Sequence, residues 1–155
     1  MHVPFEIDTF TERADQKHRS WMLTARAQSA LATCVRRKVG CVLVDRAGMV
    51  MSTGYNGTPR GQRHCTSVPC AGASCEPGTG LDLCEAIHAE QNALIQCRDH
   101  LSIEAAYVTA FPCMHCVKML LNTSCQSIYY AEPYAHDKAV DVWTMANRRS
   151  FLLRV

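Results

Sequence analysis

Two short motifs, His88-Ala89-Glu90 and Pro112-Cys113-Met114-His115-Cys116, constrain this chain more than any other feature. Each stands at the start of a helical pattern. Residues 87–98 show helical spacing through Ala89, Ala93, Leu94 and Cys97, and residues 113–122 read as a second helix. A β-rich run at 106–111 leads into the second motif. Cys113 and Cys116 are three positions apart, so on a helix they face the same way and can reach one metal. Pro112 suits a first-turn position, where its missing N–H is not needed. A helix N-terminus favours thiolate, the metal-binding form. Two thiolates with the neutral imidazole of His88 leave a tetrahedral zinc one open position, the pattern of catalytic sites rather than structural ones. Glu90, in the turn that follows His88, is placed to move protons. His115 lies off the ligand face and reads as a spacer. A His-x-Glu triplet alone is weak, and a Cys-x-x-Cys alone fits structural zinc, a redox dithiol or chance. Joined in this order, with a strand running into the proline, they are specific.

The rest of the chain supplies a frame for these helices. Residues 15–32 carry apolar groups near a helical period. Residues 39–44 and 49–53 are short β-rich runs flanking Asp45-Arg46-Ala47-Gly48, a hairpin turn. Residues 127–131 read as a strand, 136–147 as a last helix and 151–155 as a terminal strand. Strand and helix alternate after the hairpin, which predicts an α/β fold, a mixed sheet of about five strands between helices. The 155 residues suit one domain, 1–155, interrupted at about 56–84 by a segment rich in Cys, Gly and Pro with no periodicity. A long loop of that kind is usually functional or stapled.

The ten cysteines point the same way. No basic, apolar leader marks secretion, so a disulfide framework is not expected and the cytoplasm is the default location. In a reducing compartment such density reads as metal ligation. Cys41, Cys97 and Cys125 lie in apolar periodic segments and are expected as small buried hydrophobes. A net charge of +2, thinly scattered, gives no basic face for a nucleic acid, though a few local arginines could meet a lone phosphate. No run approaches the roughly 18 apolar residues a membrane span needs.

The chain resembles the deoxycytidylate deaminase family of the cytidine deaminase-like superfamily. The resemblance is carried by Lys38-Val39-Gly40-Cys41-Val42, Thr53-Gly54-Tyr55-Asn56-Gly57-Thr58-Pro59-Arg60-Gly61, Ile87 to Leu94, Val108 to Cys116 and Tyr134-Ala135-His136-Asp137, and it covers roughly Trp21 to the C-terminus. The His-x-Glu and Pro-Cys-x-x-Cys spacing is that of zinc nucleobase deaminases in general. The Gly-Tyr-Asn-Gly-x-Pro stretch is the discriminating part. The resemblance implies an α/β/α sandwich that deaminates dCMP to dUMP for thymidylate synthesis. It implies His88, Cys113 and Cys116 as ligands of a catalytic Zn2+, Glu90 as proton shuttle, and Asn56, Ala89, Pro112 and Tyr134 at the substrate, Asn56 on the sugar. It further implies a hexamer, activated by dCTP and inhibited by dTTP with Mg2+, with Arg26, Asn56, Gly57 and Arg60 as candidate effector residues. A second, structural Zn2+ occurs in some phage and bacterial relatives. Cys34, Cys65, Cys70 and Cys84 are the expected ligands here, chosen from a set that also holds His64 and Cys75. The spacing across 67–83 departs from the common family pattern. Two rivals stand beside this reading. A tRNA adenosine-editing deaminase would call for a basic face or an aromatic platform, and only 7% of residues are aromatic. A silent zinc-binding relative would have little use for Glu90.

Overall fold

A computed structural model describes residues 12–134 and 138–155. Five strands form one sheet in the order β2-β1-β3-β4-β5, where β1 is Gly40–Asp45, β2 Val50–Tyr55, β3 Ile103–Ala110, β4 Ser127–Glu132 and β5 Arg149–Leu152. β1 runs antiparallel to β2 and β3, whereas β3, β4 and β5 are parallel, so the sheet is mixed as expected. Asp45 and Gly48 close the β1–β2 turn: Gly48 N–H donates to Asp45 O at 2.9 Å, and Asp45 N–H to Met49 O at 3.0 Å.

The alternation of side chains along the central strands sorts the core into two layers. Cys41, Leu43, Ala106, Val108, Ile128 and Tyr130 face α2 (Ala89–Gln96), α3 (Met114–Leu121) and α4 (Lys138–Met145), with Val117, Leu120 and Trp143 between. Val42, Val44, Ala105, Tyr107, Tyr129 and Phe151 face the opposite way, onto Met22 and Ala25 of α1 (Glu12–Ser29). Strands covered on both faces are continuously apolar, which is why β1 and β3 read as runs rather than alternations. The result is a three-layer α/β/α sandwich.

Glycines allow helices to lie against the sheet. A Cβ on Gly54 would stand 2.2 Å from Ala89 O and 2.4 Å from Ala93 N, so only a residue without one lets α2 rest on β2. Side chains then lace the pair: Ser52 Oγ donates to Ala93 O at 2.8 Å, Asn92 Nδ2 to Tyr55 O at 2.8 Å and Gln96 Nε2 to Thr53 O at 2.9 Å.

Element ends shift from the periodic reading where caps and pairing decide them. The first helix stops at Ser29, and residues 30–32 follow as tighter turns bonded to carbonyls three residues back. The terminal strand falls two to three residues earlier than expected, because register with β4 sets Ser127 opposite Arg149 and Tyr130 opposite Leu152. The expected start of the last helix, at His136, lies outside the described residues. Residues 56–88 contain no helix or strand. Backbone bonds hold this segment instead: Gly57 and Ile87 exchange both their N–H groups, Thr66 N–H reaches Thr33 O at 3.1 Å, and Gly72 N–H reaches Leu83 O at 3.0 Å.

Candidate metal centre and active-site cavity

Both motif helices begin at the same place, beside the outgoing ends of β2 and β3. His88 is the N-cap of α2 in extended conformation, its N–H bound by the side chain of Gln91 at 2.8 Å. Cys113 is the N-cap of α3, likewise extended. Pro112 therefore stands one residue before the cap rather than in the first turn, where an extended backbone also suits it. Cys113 is not in the helix, yet it converges with Cys116 all the same, because an N-cap side chain lies over the first turn.

His88 Nδ1 lies 3.4 Å from Cys113 Sγ and 3.5 Å from Cys116 Sγ. Tetrahedral zinc with Zn–S near 2.3 Å and Zn–N near 2.0 Å spaces its ligand atoms by roughly 3.5 Å. The donor set and the spacing thus fit zinc. Among the described residues no further His, Cys, Asp or Glu joins these three in a cluster of that tightness. His115 is exposed.

The electrostatics favour a dithiol that has already lost a proton. A hydrogen bond from Cys116, with a further one from His88, brings the Cys113 thiol down to about 4. Cys116 is pushed up by that same bond and by burial, so one negative charge sits between the two sulfurs. The hydrogen bond to Cys113 raises His88 against the effect of its burial. Glu90 is only 4% exposed. Burial lifts its carboxyl to about 7, with its own backbone N–H and His88 pulling the other way. A carboxyl in that range can both take and return a proton near neutrality.

These groups open into a cavity of about 610 Å³. His88, Ala89, Glu90 and Cys113 form one wall, and Asn56, Phe111 and Tyr134 lie on it as well. Pro112 is fully buried and not among the lining residues. Asn56 is held through its side chain: Nδ2 donates to Arg37 O at 2.8 Å and Oδ1 accepts from Val39 N–H at 2.8 Å. The Cys-rich segment contributes Ala73, Cys75, Pro77, Gly78 and Leu81 to the lining. Arg36 and Arg37 also line the cavity, two residues that sequence reasoning passed over. Their signal was an arginine pair directly before the Lys38-Val39-Gly40 stretch, which as sequence is indistinguishable from a solvated charge run.

The other candidates are spread more widely. Cys65 and Cys70 approach to 3.7 Å between sulfurs. Cys34 and Cys84 border the cavity, and burial raises the Cys84 thiol. His64 is exposed. Gly57 is buried against Thr33 and Arg60 is exposed beyond it, whereas Arg26 sits on the outer face of α1, away from the cavity. Cys41 and Cys125 are wholly buried in the core, and Cys97 packs against it partly exposed. No helix among the described residues is long and apolar enough to cross a membrane.

Residues 15–132 match the family described as "Cytidine and deoxycytidylate deaminase zinc-binding region". The deoxycytidylate deaminase of Saccharomyces cerevisiae is 33% identical over 120 residues, 76% of this chain and 38% of that protein. The present chain therefore spans well under half the length of that relative. The deoxycytidylate deaminase of Mycobacterium phage D29 is 37% identical over 113 residues, 68% of this chain and 87% of that one. The crystal structure of dCMP deaminase from the cyanophage S-TIM5 in complex with dCMP and dUMP superposes with a TM-score of 0.70 at 26% identity, covering 89% of this chain and 97% of the other.

Proposed function

Because this chain belongs to the cytidine and deoxycytidylate deaminase family, we propose that it hydrolyses dCMP to dUMP and ammonia. The observation that carries the reading is the His88, Cys113 and Cys116 cluster with Glu90 buried beside it in one wall of a nucleotide-sized cavity. The three ligands would hold Zn2+, which when bound supplies the Lewis acidity that makes water acidic near neutral pH. Glu90 would accept one proton from that water and pass it to the ring nitrogen N3, then carry the second proton of the same water to the departing amine. Its burial favours this, since a carboxyl raised to about 7 releases a proton as easily as it takes one. Asn56 would reach the sugar from the end of β2, with Ala89 and Tyr134 at the base and ribose.

A structural Zn2+ on Cys34, Cys65, Cys70 and Cys84 would hold the segment that contributes little to either core layer. The approach of Cys65 to Cys70 supports that pair, while Cys34 and Cys84 do not close with them into a group of ligand atoms within 4.8 Å of one another. Assembly into a hexamer, and control by dCTP and dTTP with Mg2+ through Arg26, Asn56, Gly57 and Arg60, rest on the family resemblance alone. So does service to thymidylate synthesis in the cytoplasm.

Ammonia release from dCMP, CMP, cytidine and a tRNA anticodon stem, each run with the zinc-loaded protein, tests the reading. Preference for dCMP is the expected result. Turnover of the tRNA stem alone would replace it with the editing alternative, and no turnover of any would leave a silent zinc protein.

A further inference from the structure

β2 stands at one end of the sheet, and among the described residues no strand pairs with its outer side. Carbonyls two residues apart on a strand point the same way. Those of Thr53 and Tyr55 are taken by a helix instead: Asn92 Nδ2 donates to Tyr55 O at 2.8 Å and Gln96 Nε2 to Thr53 O at 2.9 Å. Four residues of helix advance about 6 Å and two residues of strand about 6.7 Å, so the two rungs match and hold α2 along β2 in one register.

The rung at Asn92 reaches the active site. The Tyr55 carbonyl and the Asn56 N–H belong to one peptide plane, and that N–H donates to Val39 O at 3.3 Å. On the other side of Asn56, Gly57 and Ile87 exchange both backbone N–H groups, at 3.1 and 2.8 Å. Residues 55–57 are thus fastened at two points, to Ile87 just before His88 and to Asn92 two positions after Glu90. Asn56, His88 and Glu90, which lie between those points, line the same cavity. Asn56 uses one amide N–H on Arg37 O and one lone pair on Val39 N–H, which leaves one of each for a ligand.

We propose that Asn92 is a positioning residue, whose bond to Tyr55 O sets the separation between Asn56 and the pair His88 and Glu90. Without that bond the Gly57–Ile87 bridge remains as a single pivot, about which α2 can turn relative to Asn56. Asn92 then governs how well the sugar side and the base side of one substrate are met together. That consequence rests on the dCMP reading; the clamp itself does not.

The test uses the full, zinc-loaded chain. Asn92→Ala is expected to lower kcat/KM for dCMP roughly 2- to 10-fold, the range of one neutral hydrogen bond. Gln96→Ala removes the other rung and is expected to keep kcat/KM within about twofold. An equal loss in both would make the ladder merely structural and overturn the proposal, as would wild-type kcat/KM in Asn92→Ala. A double-mutant cycle separates positioning from general damage. In an Asn56→Ala background the Asn92 change should cost little more, whereas fully additive losses would contradict action through Asn56. Asn92→Asp keeps the shape and loses the donor, so it decides the point if the alanine variant fails to fold; turnover equal to wild type would overturn the role. Amide exchange at Asn56 provides a readout free of turnover. It should speed roughly 2- to 10-fold in Asn92→Ala and hold in Gln96→Ala, because only the first frees the peptide plane of that amide. Unchanged exchange in Asn92→Ala ends the proposal whatever the substrate. A wild type that does not turn over dCMP would fell the dCMP reading, and the exchange result would still decide the clamp.

Discussion

Glu90 and Cys116 show how one residue's surroundings decide its use. Glu90 would be an ordinary solvated acid on the surface of α2. At 4% exposure beside a dithiol it becomes a carboxyl that titrates near 7. Cys116, wholly buried, is useful as a ligand only while Cys113 and His88 stay within 3.5 Å of one another or of it. Replacing it leaves two donors, too few for a tight zinc site. Cys116→Ala is therefore expected to lower bound zinc by one equivalent per chain by metal analysis, with the fold retained by circular dichroism. An unchanged zinc content would remove Cys116 from the ligand set. The grouping of His88, Cys113 and Cys116, with Glu90 in the turn that follows His88, was legible in the sequence because spacing alone carries it. Arg36 and Arg37 were not, since what makes them lining residues is Asn56, nineteen positions beyond Arg37, and a loop forty positions beyond Arg36. Distance in sequence hides such partners.

At the scale of elements, the site depends on two helix starts held in place by the sheet beneath them. Gly54 is the point of closest approach between β2 and α2. Gly54→Ala would put a Cβ into the backbone of Ala89 and Ala93, and overpacking of that kind costs typically 1–3 kcal/mol. A lower denaturation midpoint is the expected result, together with weaker activity, because α2 carries His88 and Glu90. An unchanged midpoint would show that the helix can shift without loss. The strands and helices were readable from periodicity, but their ends were not. His88 and Cys113 turned out to be caps rather than helical residues, and pairing with β4 moved β5 to Arg149–Leu152. Ends are set by partners, which one period cannot report. The Cys-rich segment was readable only as an exception. Its role as a wall of the cavity follows from the bonds of Arg36 to Glu76 and Thr79. If metal holds it, Cys65→Ala should cost a second zinc equivalent and leave the segment open to a protease. Loss of neither would leave Cys65 and Cys70 as an adjacent pair of plain thiols.

For the whole molecule, the division of labour runs across the sheet. The α1 face, with Tyr107 and Tyr129 stacked at 4.7 Å between ring centres, serves stability. The opposite face presents the starts of α2 and α3 to the cavity, and the loops at the strand ends complete it. Large apolar side chains such as Ile95, Leu101 and Met145 stay exposed in the single chain. Assembly would be one use for them, and light scattering is expected to give a mass six times that of the chain; a monomer would remove the hexamer and any effector site built between subunits. The central claim is that Glu90 moves protons for deamination of dCMP beside a zinc held by His88, Cys113 and Cys116. Its most direct test is dCMP turnover by Glu90→Gln prepared with the same zinc content as the wild type. The wild type should release one ammonia per dUMP formed, and the variant should lose a factor of about 10² or more, the share proton transfer usually supplies. Turnover by the zinc-matched variant at the wild-type rate would contradict it.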